Sequence, residues 1–202
     1  MAYSEFTLHG LTRQFNLTID ETADLFAAIP ESVIRPDFQA QLDLTVPLAL
    51  ATSTEKARSE FIIAPVLLEI WKLRDRKIGL LSGVDFSIDA AQGLNGICDY
   101  IITGSPEQLY VRAPVMVVVE AKNEDLKKGY AQCIAEMVAA QRFNAREGTS
   151  KDRIYGAVTI GELWRFMELQ GTTVRVDARS YHIDRLSKIV GILMAFTEPS
   201  NP

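Results

Sequence analysis

The sequence predicts an α/β protein, a mixed β-sheet flanked by helices in the order helix, three strands, helix, strands, helix. Three observations carry that prediction. The Val-rich run "APVMVVVEAKN" has the length and composition of a central strand covered on both faces. It leads directly into a long amphipathic segment, "LKKGYAQCIAEMVAAQRFNARE". It is preceded by two strand-like runs, "GVDFSID" and "GICDYIITG", separated by "AAQGLNG", in which Asn95-Gly96 is a turn signal and Gly93 points to a longer loop. Residues 1–50 read as an N-terminal helical extension on a core of residues 51–202, with no internal repeat, linker or low-complexity segment.

In that extension, "IDETADLFAAIP" reads as a short helix with Asp20 as N-cap and Pro30 as its stop. A clearer helix starts at "TSTEKARSEFIIAPVLLEIWKLRD". Thr52 and Glu55 have the spacing of a capping box, and Ala57, Phe61, Ala64, Leu68 and Trp71 form an apolar stripe with Glu60 beside it. Pro65 removes one backbone donor and is expected to kink this helix or end its first part. Past the Val-rich strand, Leu126, Tyr130, Ile134, Met137 and Gln141 share one stripe of the next helix. "RIYGAVTIG" reads as another buried strand, and "LWRFMELQGTTVRVDA" as a hairpin turning at Gly171. The last helix, "HIDRLSKIVGILMAF", puts Ile183, Leu186, Ile189, Val190, Leu193 and Phe196 on an apolar face. Trp71 and Trp164 fall in apolar patterns and read as core.

Composition excludes several classes. At 202 residues and 48% hydrophobic, the chain is too apolar for disorder. Its net charge of −5 disfavours general nucleic-acid binding, which needs clustered Lys and Arg, without excluding a local basic surface. Cys98 and Cys133, with only His9 and His182 besides, lack zinc-site spacing and read as reduced, packed thiols. No stretch has the apolar length of a membrane span and the first residues do not resemble a signal peptide, which predicts a cytoplasmic protein. No Gly-rich phosphate loop is present. The short basic runs at Lys72, Arg74, Arg76 and Lys77, at Lys127 and Lys128, and at Arg142 and Arg146 read as solvated helix ends.

The chemistry concentrates at "VVVEAKN". Residues two apart on a strand point the same way, so Glu120 and Lys122 share a face, and both are costly to bury unless paired or bound to a metal. Asp99 lies on the preceding strand, with Cys98 and Tyr100 expected on the opposite side, and can sit across from Glu120. Two carboxylates at one point call for a cation between them. Mg²⁺ suits this arrangement, since it is commonly held by one or two carboxylates, water and substrate phosphate; the Ala121 carbonyl is a further ligand candidate. An adjacent lysine can orient the attacking water or neutralise charge growing on a phosphodiester. The combination predicts metal-assisted phosphodiester hydrolysis, against the alternative of a structural ion pair.

Asp99 followed by Glu120-x-Lys122 on the next strand, with a helical glutamate before them, resembles the PD-(D/E)XK nuclease superfamily over residues 52–196. The resemblance implies a restriction-endonuclease-like fold, Mg²⁺ or Mn²⁺ on Asp99 and Glu120, and assistance from Lys122. By position it also implies that Glu60 completes the metal site, although Glu60 reads equally as the wet edge of its helix. Gln132 matches a glutamine that many members carry. Where one branch of the family has a tyrosine four residues on, this chain has Glu136, so a helix-surface Gln132–Glu136 pair is the competing reading. Cys98 stands where the family's naming proline would be. The wider wording, "STEKARSE", "GLNGICDYIITG", "GYAQCIAEM" and "GAVTIGELWRF", is similar to a group of bacterial proteins, prominent in cyanobacteria, placed in this superfamily. The implied function is a metal-dependent nuclease acting on DNA. A homodimer and a partner protein supplying basic surface are further expectations. The rival is a non-catalytic module that keeps the fold and binds nucleic acid or protein.

Overall fold

The computed structural model describes residues 2–123, 126–149 and 151–198. The protein is an α/β protein built on a mixed, open, eight-stranded sheet. Strands β1 (Thr18–Asp20), β2 (Gly79–Asp85), β3 (Ile97–Thr103), β4 (Val115–Ala121), β5 (Arg153–Thr159), β6 (Leu163–Gln170) and β7 (Thr173–Val176) lie in the order β1-β7-β6-β5-β4-β3-β2, and β8 (Tyr181–His182) pairs with β6. The β4–β5 and β1–β7 pairs are parallel and the others antiparallel. Helices are α1 (Leu8–Gln14), α2 (Pro36–Thr52), α3 (Glu55–Arg58), α4 (Ala64–Leu73), α5 (Leu126–Arg146) and α6 (Leu186–Phe196).

β4 is central because every one of its residues is buried. Val118 faces a core formed with α5 and the N-terminal residues Tyr3, Phe6 and Leu11, while Val117 and Val119 face a second core formed with α2, α4 and α6. Burying a valine stabilises by roughly 1.5–3 kcal/mol, so a β-branched run covered on both faces locks this strand in the middle. The parallel step from β4 to β5 requires a crossover, and α5 supplies it. Cys98 and Cys133 are buried free thiols, as their setting predicts.

The structure departs from expectation in the first 60 residues. Residues 21–30 form no helix; they run as an extended strap whose backbone is satisfied by the rest of the fold. Asp20 accepts from the Thr22 amide and hydroxyl in a local turn. The strap's amide of Leu25 donates to Asp177, Lys188 donates to the carbonyls of Ala27 and Ile29, and Ser32 N–H donates to Ser187 O. Phe26 anchors it, packed edge-on against Phe166 and Phe196. The helix that follows the strap is α2, which begins at Pro36, carries Pro47 in its interior and buries Phe38, Leu42 and Ala49.

The cap of the following helix is Thr54, whose hydroxyl accepts from Ala57 N–H; Thr52 ends α2 and donates to Leu48 O. Pro65 does disturb the helix, through a π-helical turn, Ser59–Ile63, in which Ala64 N–H reaches back to Ser59 O. One extra residue in that turn rotates everything after it. The buried face is therefore Ile62, Ile63, Val66, Leu67 and Ile70, with Leu68 exposed and Trp71 at the rim. Trp164 is fully buried. Among the described residues no helix is long and apolar enough to cross a membrane.

Candidate active site

Glu120 and Lys122 end β4 and leave it where β5 also ends: Lys122 N–H donates to Thr159 O at 2.8 Å. Tyr100 pairs with Val119, so one step along the ladder puts Asp99 beside Glu120, about 5 Å away between Cα atoms for neighbouring strands. The Asp99 carboxylate accepts from Ala121 N–H at 2.8 Å, which aims it at the strand end carrying Glu120. Strict alternation fails here. Cys98 packs in the α5-side core and Tyr100 in the opposite one, so they do not share a face as expected. Gly83, opposite Asp99, has φ +63, the left-handed backbone that lets the strand pair bend at this point.

Glu120 is 1% exposed. Its Oε1 accepts from Lys122 Nζ, and its carboxyl also meets that of Glu136, which carries a proton it can share with Glu120. Burial, then the neighbouring Asp99 charge, pushes its carboxyl up to about 7 against the pull of Lys122. Asp99 is raised by its own burial, with the Ala121 amide and Lys122 opposing. Burial alone would lower the Lys122 ammonium; Glu120, with Asp99 and Glu55 behind it, outweighs that and holds it above the usual lysine value.

α5 completes the cluster. Gln132 Oε1 accepts from Lys122 Nζ at 3.3 Å and Gln132 Nε2 donates to Glu136 Oε1 at 3.2 Å. The Gln132–Glu136 pair therefore belongs to the buried site, since Glu136 is 0% exposed. Burial, then Glu120, raises the Glu136 carboxyl far above the usual range. The helix comes this close because residue 129 is glycine: a Cβ there would lie 2.4 Å from Val158 Cγ1 and 3.2 Å from Lys122 Cγ.

Glu60 lies at the rim, ion-paired with Lys56 at 3.1 Å and about half exposed; its charge is felt at Tyr100. Its helix is tied down by the two residues just before it. Ser59 Oγ and Tyr100 OH are 2.6 Å apart, and Arg58 donates to Ile160 O at 2.9 Å. The structure thus joins Asp99, Glu120, Lys122 and Gln132 and leaves Glu60 outside their hydrogen bonds. Two residues escaped sequence reasoning. Glu136 stood out only as a substitute for tyrosine, and its burial could have been read from its position between Cys133 and Ala140 on the sheet-facing side of α5. Glu55, noticed for capping, adds negative charge near Lys122 from an exposed first turn.

Among the described residues no three His, Cys, Asp or Glu side chains converge as a metal cage. Two carboxylates suffice for a cation that retains water and substrate oxygens. The donor set fits such an ion: hard oxygen ligands and mutual repulsion between Asp99 and Glu120, with Glu136 adding to the crowding of carboxyls. Of the basic residues, Lys72 to Lys77 precede β2, whose first residue pairs with Thr103 at the far end of β3 from Asp99. Arg142 is engaged with Asp89 and Phe15. Comparison with protein-family models, curated proteins and solved structures finds no match to this chain.

Proposed function

We propose that the protein is a Mg²⁺- or Mn²⁺-dependent nuclease of restriction-endonuclease-like fold that hydrolyses DNA phosphodiesters. The observation that carries this reading is Glu120: a buried carboxylate crowded by two further carboxyls, Asp99 and Glu136, with Lys122 as its ion-pair partner. A structural ion pair would need only one acid; further buried carboxyls beside the same lysine add desolvation and repulsion that cost stability. A dication held by Asp99 and Glu120 removes that cost, and when bound it would acidify a water and neutralise phosphate charge.

The remaining roles belong to the chain. The Lys122 side chain is still 21% exposed, so its ammonium can reach substrate. Freed from Glu120, it can donate to a phosphate oxygen as charge develops there, or orient the attacking water. Gln132 limits its swing by accepting from Nζ. Glu60 reaches the site only by leaving Lys56, which makes it an outer ligand through water. Lys127 and Lys128 open α5 beside the site, and a symmetric second copy or a basic partner protein would enlarge the cationic surface that a chain of net charge −5 lacks.

One observation favours a second reading, a non-catalytic nucleic-acid- or protein-binding module: Lys122 already sits on Glu120, closing the pair. Cleavage of single- and double-stranded DNA and RNA with Mg²⁺ or Mn²⁺, wild type against Lys122→Ala, separates the two. Cleavage by the wild type alone supports the nuclease. Equal cleavage by both removes Lys122 from the mechanism. No cleavage, together with no Mn²⁺-induced rise in melting temperature, supports the module.

A further inference from the structure

The geometry points to Glu136 as a positioning residue that sets the Gln132 amide, and through it Lys122; this rests on the nuclease reading. Lys122 Nζ donates to the Gln132 carbonyl oxygen, and the other end of the same amide, Nε2, donates to Glu136 Oε1. An amide has one accepting and one donating end. Rotated by half a turn, Gln132 would present its NH₂ to the Lys122 ammonium, donor against donor, and its carbonyl to a carboxyl oxygen. Lys122 favours the carbonyl end, and Glu136 holds the opposite end of the amide in the same orientation.

The placement supports a task beyond packing. Glu136 is fully buried, and no Lys or Arg among the described residues is ion-paired with it; its neighbours are Gln132, the Glu120 carboxyl and the thiols Cys98 and Cys133. An apolar side chain of that size would fit the same space without desolvating a carboxyl. The rotamer of Lys122 matters because its ammonium must lie between Glu120 and substrate, and a correctly aimed donor is worth having only if it is aimed before substrate arrives. Glu136 touches neither substrate nor ion in this scheme. Its other contact is with the Glu120 carboxyl; the proposed route to the reaction is Gln132, and the double variant below separates the two.

The test uses Glu136→Leu, Glu136→Gln, Gln132→Leu and the double Leu variant. Leucine removes the acceptor and leaves no new polar group unpaired, so folding is retained. Glutamine keeps an acceptor for Gln132 Nε2 and is the conservative rescue. In Glu136→Leu, kcat falls about tenfold, the worth of one hydrogen bond to a charged group, while KM changes little. Glu136→Gln restores kcat, and the double variant loses no more than Gln132→Leu alone. Multiplying losses, or an unchanged kcat in Glu136→Leu, overturn the proposal. A second readout needs no activity: acetic anhydride labelling of Lys122 in the metal-free protein, followed by mass spectrometry. Labelling rises severalfold in Glu136→Leu and not in Glu136→Gln; equal labelling in all variants overturns the proposal. Wild-type protein that cuts nothing defeats the nuclease reading, and the labelling still decides the role of Glu136.

Discussion

At the scale of single residues, the buried carboxyl of Glu120 sets how the protein responds to pH. Its folded value of about 7 lies above the ordinary 4.5. The folded state therefore holds a proton more tightly than the unfolded chain between those values. Its contribution to stability is complete below about pH 4.5 and is lost as pH rises through about 7. Thermal melts of the metal-free protein should show this loss between pH 5 and pH 8, and Glu120→Gln, which carries no titrating proton at this position, should reduce it, leaving the part that the raised Asp99 and Glu136 carboxyls contribute. The same variant should also lose the rise in melting temperature that Mn²⁺ is expected to give the wild type. Equal slopes in the two proteins would mean that another group titrates. Asp99, Glu120 and Lys122 were legible in the sequence because a period of two on a Val-rich strand forces Glu120 and Lys122 to one side. Glu136 was not, because its importance comes from Gln132 and Glu120, which only packing brings to it.

At the scale of elements, two contacts position the site. Gly129 lets the first turns of α5 rest on Val158 and against the Lys122 stem. Gly129→Ala gains helix propensity of about 1 kcal/mol, yet its methyl must displace Val158 or lift the helix, at a cost of about 1–3 kcal/mol. The variant should show the proposed nuclease activity reduced more than stability, measured by kcat against denaturant midpoint. The second contact is Phe26, which pins the strap of residues 21–30 into the aromatic cluster with Phe166 and Phe196. Phe26→Ala should destabilise by about 3–5 kcal/mol in urea titration, whereas a strap held mainly by its backbone bonds would lose much less. The strap's sequence resembles a helix in composition, but its donors and acceptors find better partners in Asp177, Lys188 and Ser187 than in one another. The apolar stripe of the helix before β2 was misphased for a related reason. A π-helical turn at Ser59–Ile63 inserts a residue that no 3.6-residue period contains.

At the scale of the molecule, the first twenty residues are part of both the sheet and its core. β1 pairs with β7 in parallel, Tyr3 donates to Phe86 O, and Leu11 is fully buried on the α5 side. Removal of residues 2–20 should therefore lower the melting temperature and expose apolar surface, read by dye binding, instead of leaving an intact core. A truncated chain that melts like the full one would show the segment to be an accessory. The two carboxylates, the lysine and the amide come from β3, β4 and α5, so the site exists only when the central sheet and its crossover helix are assembled.

By itself the sequence determined the alternation of strands and helices, the central place of β4, and the pairing of a carboxylate with a lysine at its end. These are consequences of local periodicity and of the cost of burying charge, and both can be counted along the chain. Only the tertiary structure decided the strap in place of a helix, the phase of the π-distorted helix, the bend that separates Cys98 from Tyr100, and the entry of Glu136 into the site. Each of these turns on partners distant in sequence, whose hydrogen bonds and packing override local preference once the two cores close on the sheet.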